Sequence, residues 1–218
     1  RSIAWLKNND KERFEQTNKF LSVKSYIIQQ LTGEYLIDYS LASATGLLNI
    51  HTIKWETDAL EYAGISADML PGLVPVFATA GKLKKAFQNS FGLPADTKII
   101  VGSSDGCMAT LGAGVWDEGK ATITIEDSGA VRVVGKKVLQ DKQQRFFNYL
   151  LTEDCYVSGG PTNNGGIIFE WFATEFGDFK NPFDLEQSIE ELIKEASKVP
   201  VGSDGLLFLP VLDRKSVV

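Results

Sequence analysis

The stretch Lys98-Ile99-Ile100-Val101-Gly102-Ser103-Ser104-Asp105-Gly106-Cys107-Met108-Ala109-Thr110-Leu111 changes character twice. Its β-branched run predicts a short strand, the glycines and serines that follow break it, and residues 107–111 suit a helix. Strand, sharp turn and helix in that order is the unit of α/β architecture, and open α/β sheets bind ligands at the carboxyl ends of their strands. Asp105 stands at that point. A carboxylate there can take a proton from a substrate hydroxyl. Local pattern also allows two structural roles, because Asp is a common helix N-cap and Asp-Gly a common turn. The readings are compatible.

Towards the amino terminus, Phe14, Leu21, Ile27, Ile28 and Leu31 fall at near-helical spacing and Gly33 follows where a helix commonly ends, so residues 10–31 should hold one or two helices. Residues 38–46 mix hydroxyls with small side chains, match neither an amphipathic helix nor an alternating strand, and read as a packed loop. Residues 57–62 suit a short helix, 71–77 an extended segment, and 81–91 a helix with lysines on its wet face.

Towards the carboxyl terminus, residues 120–125 and 130–134 alternate across the turn Glu126-Asp127-Ser128-Gly129, a β-hairpin pattern. Residues 149–157 supply more strand. Gly159-Gly160-Pro161-Thr162-Asn163-Asn164-Gly165-Gly166 then reads as a glycine-rich turn into a helix over 167–172. Beyond Pro182, Asp184 can cap a helix with Gln187 three residues on, and Leu185, Ile189, Leu192, Ile193 and Ala196 form its apolar stripe. Residues 206–209 look like a buried strand. Helices in the first half and mixed elements in the second indicate an α/β chain with a boundary near residues 112–119.

Composition narrows the function. The chain has 218 residues, 44% apolar and 23% charged, in the range of a globular protein. Its formal charge of −6 offers no basic field for a nucleic-acid backbone or an anionic membrane. No apolar run approaches the roughly 20 residues that span a bilayer. Arg1 begins the chain without a signal-peptide pattern and without Met, so an upstream part is expected. Cys107 and Cys155 are too few for a disulfide scaffold and read as small apolar residues in a reducing compartment, which makes the cytoplasm the natural location.

The order strand, glycine-rich turn, helix around residues 159–166 lets backbone N–H groups and a helix start face an anion or a nucleotide; a plain loop is the competing reading. The segment Gly114-Val115-Trp116-Asp117-Glu118-Gly119-Lys120-Ala121 nearly spells a Walker phosphate loop. It fails because Ala121 replaces the magnesium-binding hydroxyl and a strand follows. His51, the only histidine, has no partner set for a metal or a Ser-His-Asp triad. The cysteines lack metal-ligand spacing, and Gly202-Ser203-Asp204-Gly205 reads as a plain turn.

Asp38-Tyr39-Ser40-Leu41-Ala42-Ser43-Ala44-Thr45-Gly46-Leu47-Leu48-Asn49-Ile50, then Trp55, Gly64-Ile65, Leu70-Pro71 and Val101-Gly102-Ser103-Ser104-Asp105-Gly106 form an ordered set. Ser128-Gly129-Ala130-Val131-Arg132, the 159–166 run with Trp171, and residues 202–210 continue it. Together they resemble the FGGY family of carbohydrate kinases over nearly the whole chain. The Gly-Gly-Pro-x-Asn-Asn-Gly-Gly and Ser-Gly-Ala-x-Arg wording is most similar to gluconate kinases.

That resemblance implies part of a two-domain actin-like, ribonuclease H-like ATPase fold in which sugar and ATP meet in the interdomain cleft. Residues 1–113 would be the end of the amino-terminal sugar-binding domain and 114–218 the start of the ATP-binding domain. It further implies that Asp105 is the catalytic base and, with Gly106, meets the sugar. Asp127, Ser128 and Gly129 would lie at a phosphate-contacting turn, and Gly166 would let ATP approach the backbone. The implied reaction is ATP-dependent phosphorylation of D-gluconate to 6-phosphogluconate, with Mg2+ as cofactor and no residue of this chain assigned as a metal ligand. Xylulose or another pentulose is the alternative substrate, and a catalytically dead binding relative the alternative class. The oligomeric state stays open, a homodimer included.

Three departures from the family pattern shape these expectations. Glu126 and Asp127 stand where Gly-Thr is usual, and one unit charge about 4 Å from another costs roughly 4 kcal/mol at an effective dielectric near 20, about a thousandfold in affinity unless magnesium offsets it. The first-domain phosphate hairpin and most sugar contacts would lie before Arg1. After Pro210-Val211-Leu212 the family's Gly-Glu-Arg is replaced by Asp213-Arg214-Lys215-Ser216-Val217-Val218, a tail that need not belong to the fold, and the adenosine-binding part would follow. A piece of a kinase, inactive as an isolated chain, is the expectation. Arg132 would either reach an acid sugar's carboxylate or serve as a surface or domain-contact arginine.

Overall fold

The computed structural model describes residues 2–176 and 185–210. In chain order the elements are α1 (Ser2–Asn9), α2 (Lys11–Gln16), α3 (Val23–Thr32), β1 (Leu36–Asp38), α4 (Tyr39–Ala44), β2 (Leu48–Asn49), β3 (Lys54–Trp55), α5 (Thr57–Ala63), β4 (Gly72–Val74), β5 (Thr79–Lys82), α6 (Lys85–Phe91), β6 (Lys98–Ile100) and α7 (Asp105–Gly112). There follow β7 (Ala121–Ile125), β8 (Gly129–Gly135), β9 (Phe147–Thr152), β10 (Cys155–Thr162), α8 (Ile167–Phe176) and α9 (Leu185–Ala196). The expected cap at Asp184, the side chain of its partner Gln187 and the tail at residues 213–218 fall outside what the structure describes.

Local chemistry sets the helix ends. Asp10 and Ser22 accept backbone N–H groups at the starts of α2 and α3, and Gly33 closes α3 in the left-handed conformation at φ 93°. Residues 38–46 differ from the loop read in the sequence. Asp38 ends β1 and its carboxylate accepts from the N–H groups of Ser40 and Leu41, which starts α4. Small side chains then let that helix bury one face, Ser40 and Ala42 being fully enclosed.

Strands β1 and β4 pair in parallel, Ile37 opposite Leu73; β2 pairs antiparallel with β3, and β5 antiparallel with β6. A four-stranded sheet has the order β7-β8-β10-β9. The predicted helix over 81–91 begins only at Lys85, because Gly81 and Lys82 pair in β5 instead. Residues 149–157 hold parts of two strands rather than one, turning at Glu153 and Asp154. The glycine-rich run is strand as far as Thr162, so the turn shrinks to 163–166.

The described residues form two compact units, one within residues 1–120, 133–139 and 148–158, the other within residues 121–132, 140–147 and 159–218. The first unit packs around Cys107, Val115, Val134, Leu151 and Val157. Further clusters gather Leu60, Ala63, Ile65 and Leu70, then Ile28, Ala80 and Val101, then Ile37, Ala42 and Leu48. In the second unit Trp171 stacks on Phe208 with ring centroids 6.1 Å apart. The expected buried strand at 206–209 is not formed: Leu206, Leu207 and Leu209 are each more than three-quarters exposed. On α9, Ile189 and Leu192 are half-buried while Ile193 and Ala196 face solvent, so the apolar stripe is only partly covered.

Candidate active site

The chain leaves β6 through Val101 and Gly102, whose N–H groups donate to Ala78 O at 3.0 Å and Val76 O at 2.8 Å. Gly102 turns the backbone at φ 71°, a conformation that favours glycine. Ser104 takes the N-cap position, its side chain making no capping bond, and Asp105 is the first residue of α7. Asp105 is therefore not the helix cap. Its side chain is exposed, and Oδ1 accepts the Gly106 N–H at 2.7 Å. Gly106 itself is buried.

Beneath this loop lies a polar cluster that sequence reading did not single out. The fully buried Asp38 carboxylate pairs with the ammonium of Lys24 from α3. The same Lys24 Nζ donates to Gly102 O at 3.3 Å and Ser103 O at 3.1 Å. Asp38 Oδ1 accepts from the Ser40 N–H at 3.0 Å, the Leu41 N–H at 3.1 Å and the Ser40 hydroxyl. Ser40 Oγ in turn meets Ser103 Oγ at 2.6 Å and accepts the Ser104 N–H at 2.8 Å. One sequence signal pointed here, the run of hydroxyls at 38–46, but it carried no partner.

In the second unit the hairpin turn closes with the Glu126 N–H donating to Ser128 O at 2.7 Å. Glu126, Asp127 and Ser128 are exposed. Gly165 and Gly166 donate their N–H groups to Asp127 O at 2.8 Å and Glu126 O at 2.5 Å, which ties the start of α8 to the turn. A Cβ on Gly165 would stand 2.5 Å from Ser128 O. These glycines thus serve the close approach of hairpin and helix, and their N–H groups are spent on it. Arg132 lies in the same unit, with Nη1 donating to Thr124 Oγ1 at 2.5 Å and its guanidinium 5.8 Å from the Phe147 ring centroid. Its Nε is buried without a hydrogen-bond partner.

The structure thus brings Asp127, Ser128, Gly129 and Gly166 together at one hairpin–helix junction and sets Asp105 with Gly106 at the start of α7 in the other unit. Residues 1–112 match the amino-terminal domain of the FGGY family of carbohydrate kinases. The chain belongs to that family. This FGGY chain is 39% identical to the gluconokinase of Bacillus subtilis over 96% of its own length and 42% of that protein's. Two solved structures from Lactobacillus acidophilus superpose with TM-score 0.86 over 96% of this chain and 41% of theirs: a ligand-bound xylulose kinase at 33% identity and a gluconate kinase at 32%. The chain accordingly carries part of the α/β, actin-like (ribonuclease H-like) ATPase fold and spans less than half the length of these relatives. Among the described residues no helix is long and apolar enough to cross a membrane.

Proposed function

We propose that this FGGY chain contributes the catalytic base and a phosphate-contacting turn to an ATP-dependent kinase that converts D-gluconate to 6-phosphogluconate in the cytoplasm. Residues 1–113 would belong to its sugar-binding domain and 114–218 to its ATP-binding domain. The observation that carries the reading is Asp105, an exposed carboxylate on the first turn of α7 with Oδ1 held by the Gly106 N–H at 2.7 Å. The held oxygen fixes the plane of the carboxylate, and Oδ2 takes the proton from the acceptor hydroxyl as the hydroxyl oxygen bonds to the γ-phosphorus and the bond to the β–γ bridging oxygen breaks, releasing ADP. Base catalysis of this kind contributes about 10²–10⁴-fold. Asp127, Ser128 and Gly129 line the phosphates, and Gly166 lets the nucleotide pass close to the main chain. Mg2+ carried with the nucleotide would supply charge neutralisation beside the exposed Glu126 and Asp127, with no residue of this chain assigned to hold it.

Two features favour other readings. The xylulose kinase neighbour fits as closely as the gluconate kinase, which supports a pentulose substrate. The Glu126-Asp127 pair favours a binding protein without phosphoryl transfer. One assay on two hybrids separates them: place these residues in the matching segments of the Bacillus subtilis gluconokinase and of the Lactobacillus acidophilus xylulose kinase, and measure ATP-dependent phosphorylation of gluconate and xylulose by each. Turnover on gluconate is expected, and Asp105→Asn should lower kcat by at least about a hundredfold with an unchanged circular dichroism spectrum. Turnover on xylulose alone would change the substrate, and no turnover on either would leave the binding protein. Full activity of Asp105→Asn removes the base assignment.

A further inference from the structure

Asp105 is exposed, and its own hydrogen bond reaches only the next residue, so the direction of its carboxylate depends on the backbone that precedes it. That backbone is gripped from below. The Ser40 hydroxyl has one proton, and the Asp38 carboxylate accepts it. Its lone pairs are then free for two donors, the Ser104 N–H at 2.8 Å and the Ser103 hydroxyl at 2.6 Å. Lys24 completes the grip by pairing with Asp38 Oδ2 and donating to the carbonyls of Gly102 and Ser103. Asp38 and Ser40 are fully buried. The Ser104 side chain caps nothing, and although α7 holds Ser104 O through its own Met108 N–H at 3.0 Å, the nearest hold on the base from outside the helix is the Ser104 N–H on Ser40 Oγ.

We infer that Ser40 is a positioning residue for the base, the outer end of a Lys24–Asp38–Ser40 relay that fixes the Ser103–Ser104 backbone and through it the orientation of Asp105. The inference rests on the reading of Asp105 as base. Two groups of the relay, Lys24 Nζ and Ser40 Oγ, make bonds to residues 102–104 that a simple helix cap would not need. Asp38 caps α4 through the Ser40 and Leu41 N–H groups, while the Ser40 hydroxyl is turned on the loop more than 60 residues away in the chain. Misplacement of a reacting group by about 1 Å can cost a hundredfold in rate.

The test uses the hybrid kinases described above, with Ser40→Ala, Ser40→Thr and Asp105→Asn compared. Ser40→Ala should lower kcat by about ten- to a hundredfold, with KM for ATP and for the sugar within about twofold, and Ser40→Thr, which keeps the oxygen, should recover most of the loss. Amide exchange in Ser40→Ala should rise at Ser104, whose N–H Ser40 holds, and stay unchanged at Val101 and Gly102, whose N–H groups are held elsewhere. An inactive Asp105→Asn beside a fully active Ser40→Ala overturns the positioning role and leaves the base. Full activity of Asp105→Asn overturns both. Equal loss of protection at Val101 and Gly102, or a Ser40→Ala chain that does not fold, assigns the relay to the fold alone and overturns the inference.

Discussion

At the residue scale the Lys24–Asp38 pair is the most deeply buried ion pair among the described residues. Asp38 is fully buried and Lys24 about a quarter exposed, so both give up hydration that only their contact and surrounding hydrogen bonds offset. Removing one partner strands the other. Lys24→Met should lower stability by about 3–5 kcal/mol, read from urea denaturation, because it leaves an uncompensated buried carboxylate. Lys24→Met with Asp38→Asn should lose much less than the sum of the two single changes, since neither charge then remains. Additive losses would show that the pair does not interact. Asp141 and Arg145 make a contrasting pair at the surface. Their bidentate contact, at 2.7 and 2.9 Å, holds the Asp141 carboxyl well below the usual carboxylate range, yet such exposed pairs contribute little to stability.

Elements show the same dependence on close contact. The start of α8 approaches the β7–β8 turn so tightly that a Cβ on Gly165 would stand 2.5 Å from Ser128 O and 2.7 Å from Glu126 O, both backbone atoms that cannot swing aside. Gly165→Ala should therefore cost about 1–3 kcal/mol of stability. Gly112, at the end of α7, has open space where its Cβ would be, so Gly112→Ala should stabilise by about 0.4–1 kcal/mol. Two thermal melts check the opposite signs, and a stabilised Gly165→Ala would mean the junction is looser than drawn. Legibility followed the same line. Strand β6, helix α7 and the β7–β8 hairpin were readable because strand alternation, turn residues and helix starts are written within a few neighbours. Helix α4 was not, because its stability comes from the Asp38 cap and from burial of Ser40 and Ala42, neither of which leaves an apolar period. Gly159 misled in the other direction: it reads as a turn but sits in β10, where a Cβ would stand 2.1 Å from Val131 O. Apolar residues 206–209 signalled burial without naming what would cover them. At the site, Asp105 stood out from its place after a strand, whereas Lys24 could not, its partners lying 14 and 79 positions along the chain.

For the molecule as a whole, family match and compact unit end at different places. The match to the amino-terminal FGGY domain stops at residue 112, but the core holding Cys107 draws Val115, Val134, Leu151 and Val157 from beyond it. Helix α7, with Asp105 at its head and Cys107 on its buried face, is therefore anchored by chain outside the matched region. Burial pushes the Cys107 thiol above its ordinary value of 9.0, so the neutral thiol is the form the folded chain favours. By sign, that contribution to stability is complete below about pH 9, where the unfolded thiol begins to ionise, and is lost as pH rises through the folded value. The reagent iodoacetamide attacks the thiolate, so Cys107 in the intact chain should alkylate slowly at pH 8, with its peptide followed by mass spectrometry. Residues 1–113 alone keep Cys107 and lose Cys155 together with the four core partners, so Cys107 in that piece should alkylate at least about ten times faster. Equal rates in the two chains would show that the matched region closes its own core and that α7 stands without the strands of the four-stranded sheet.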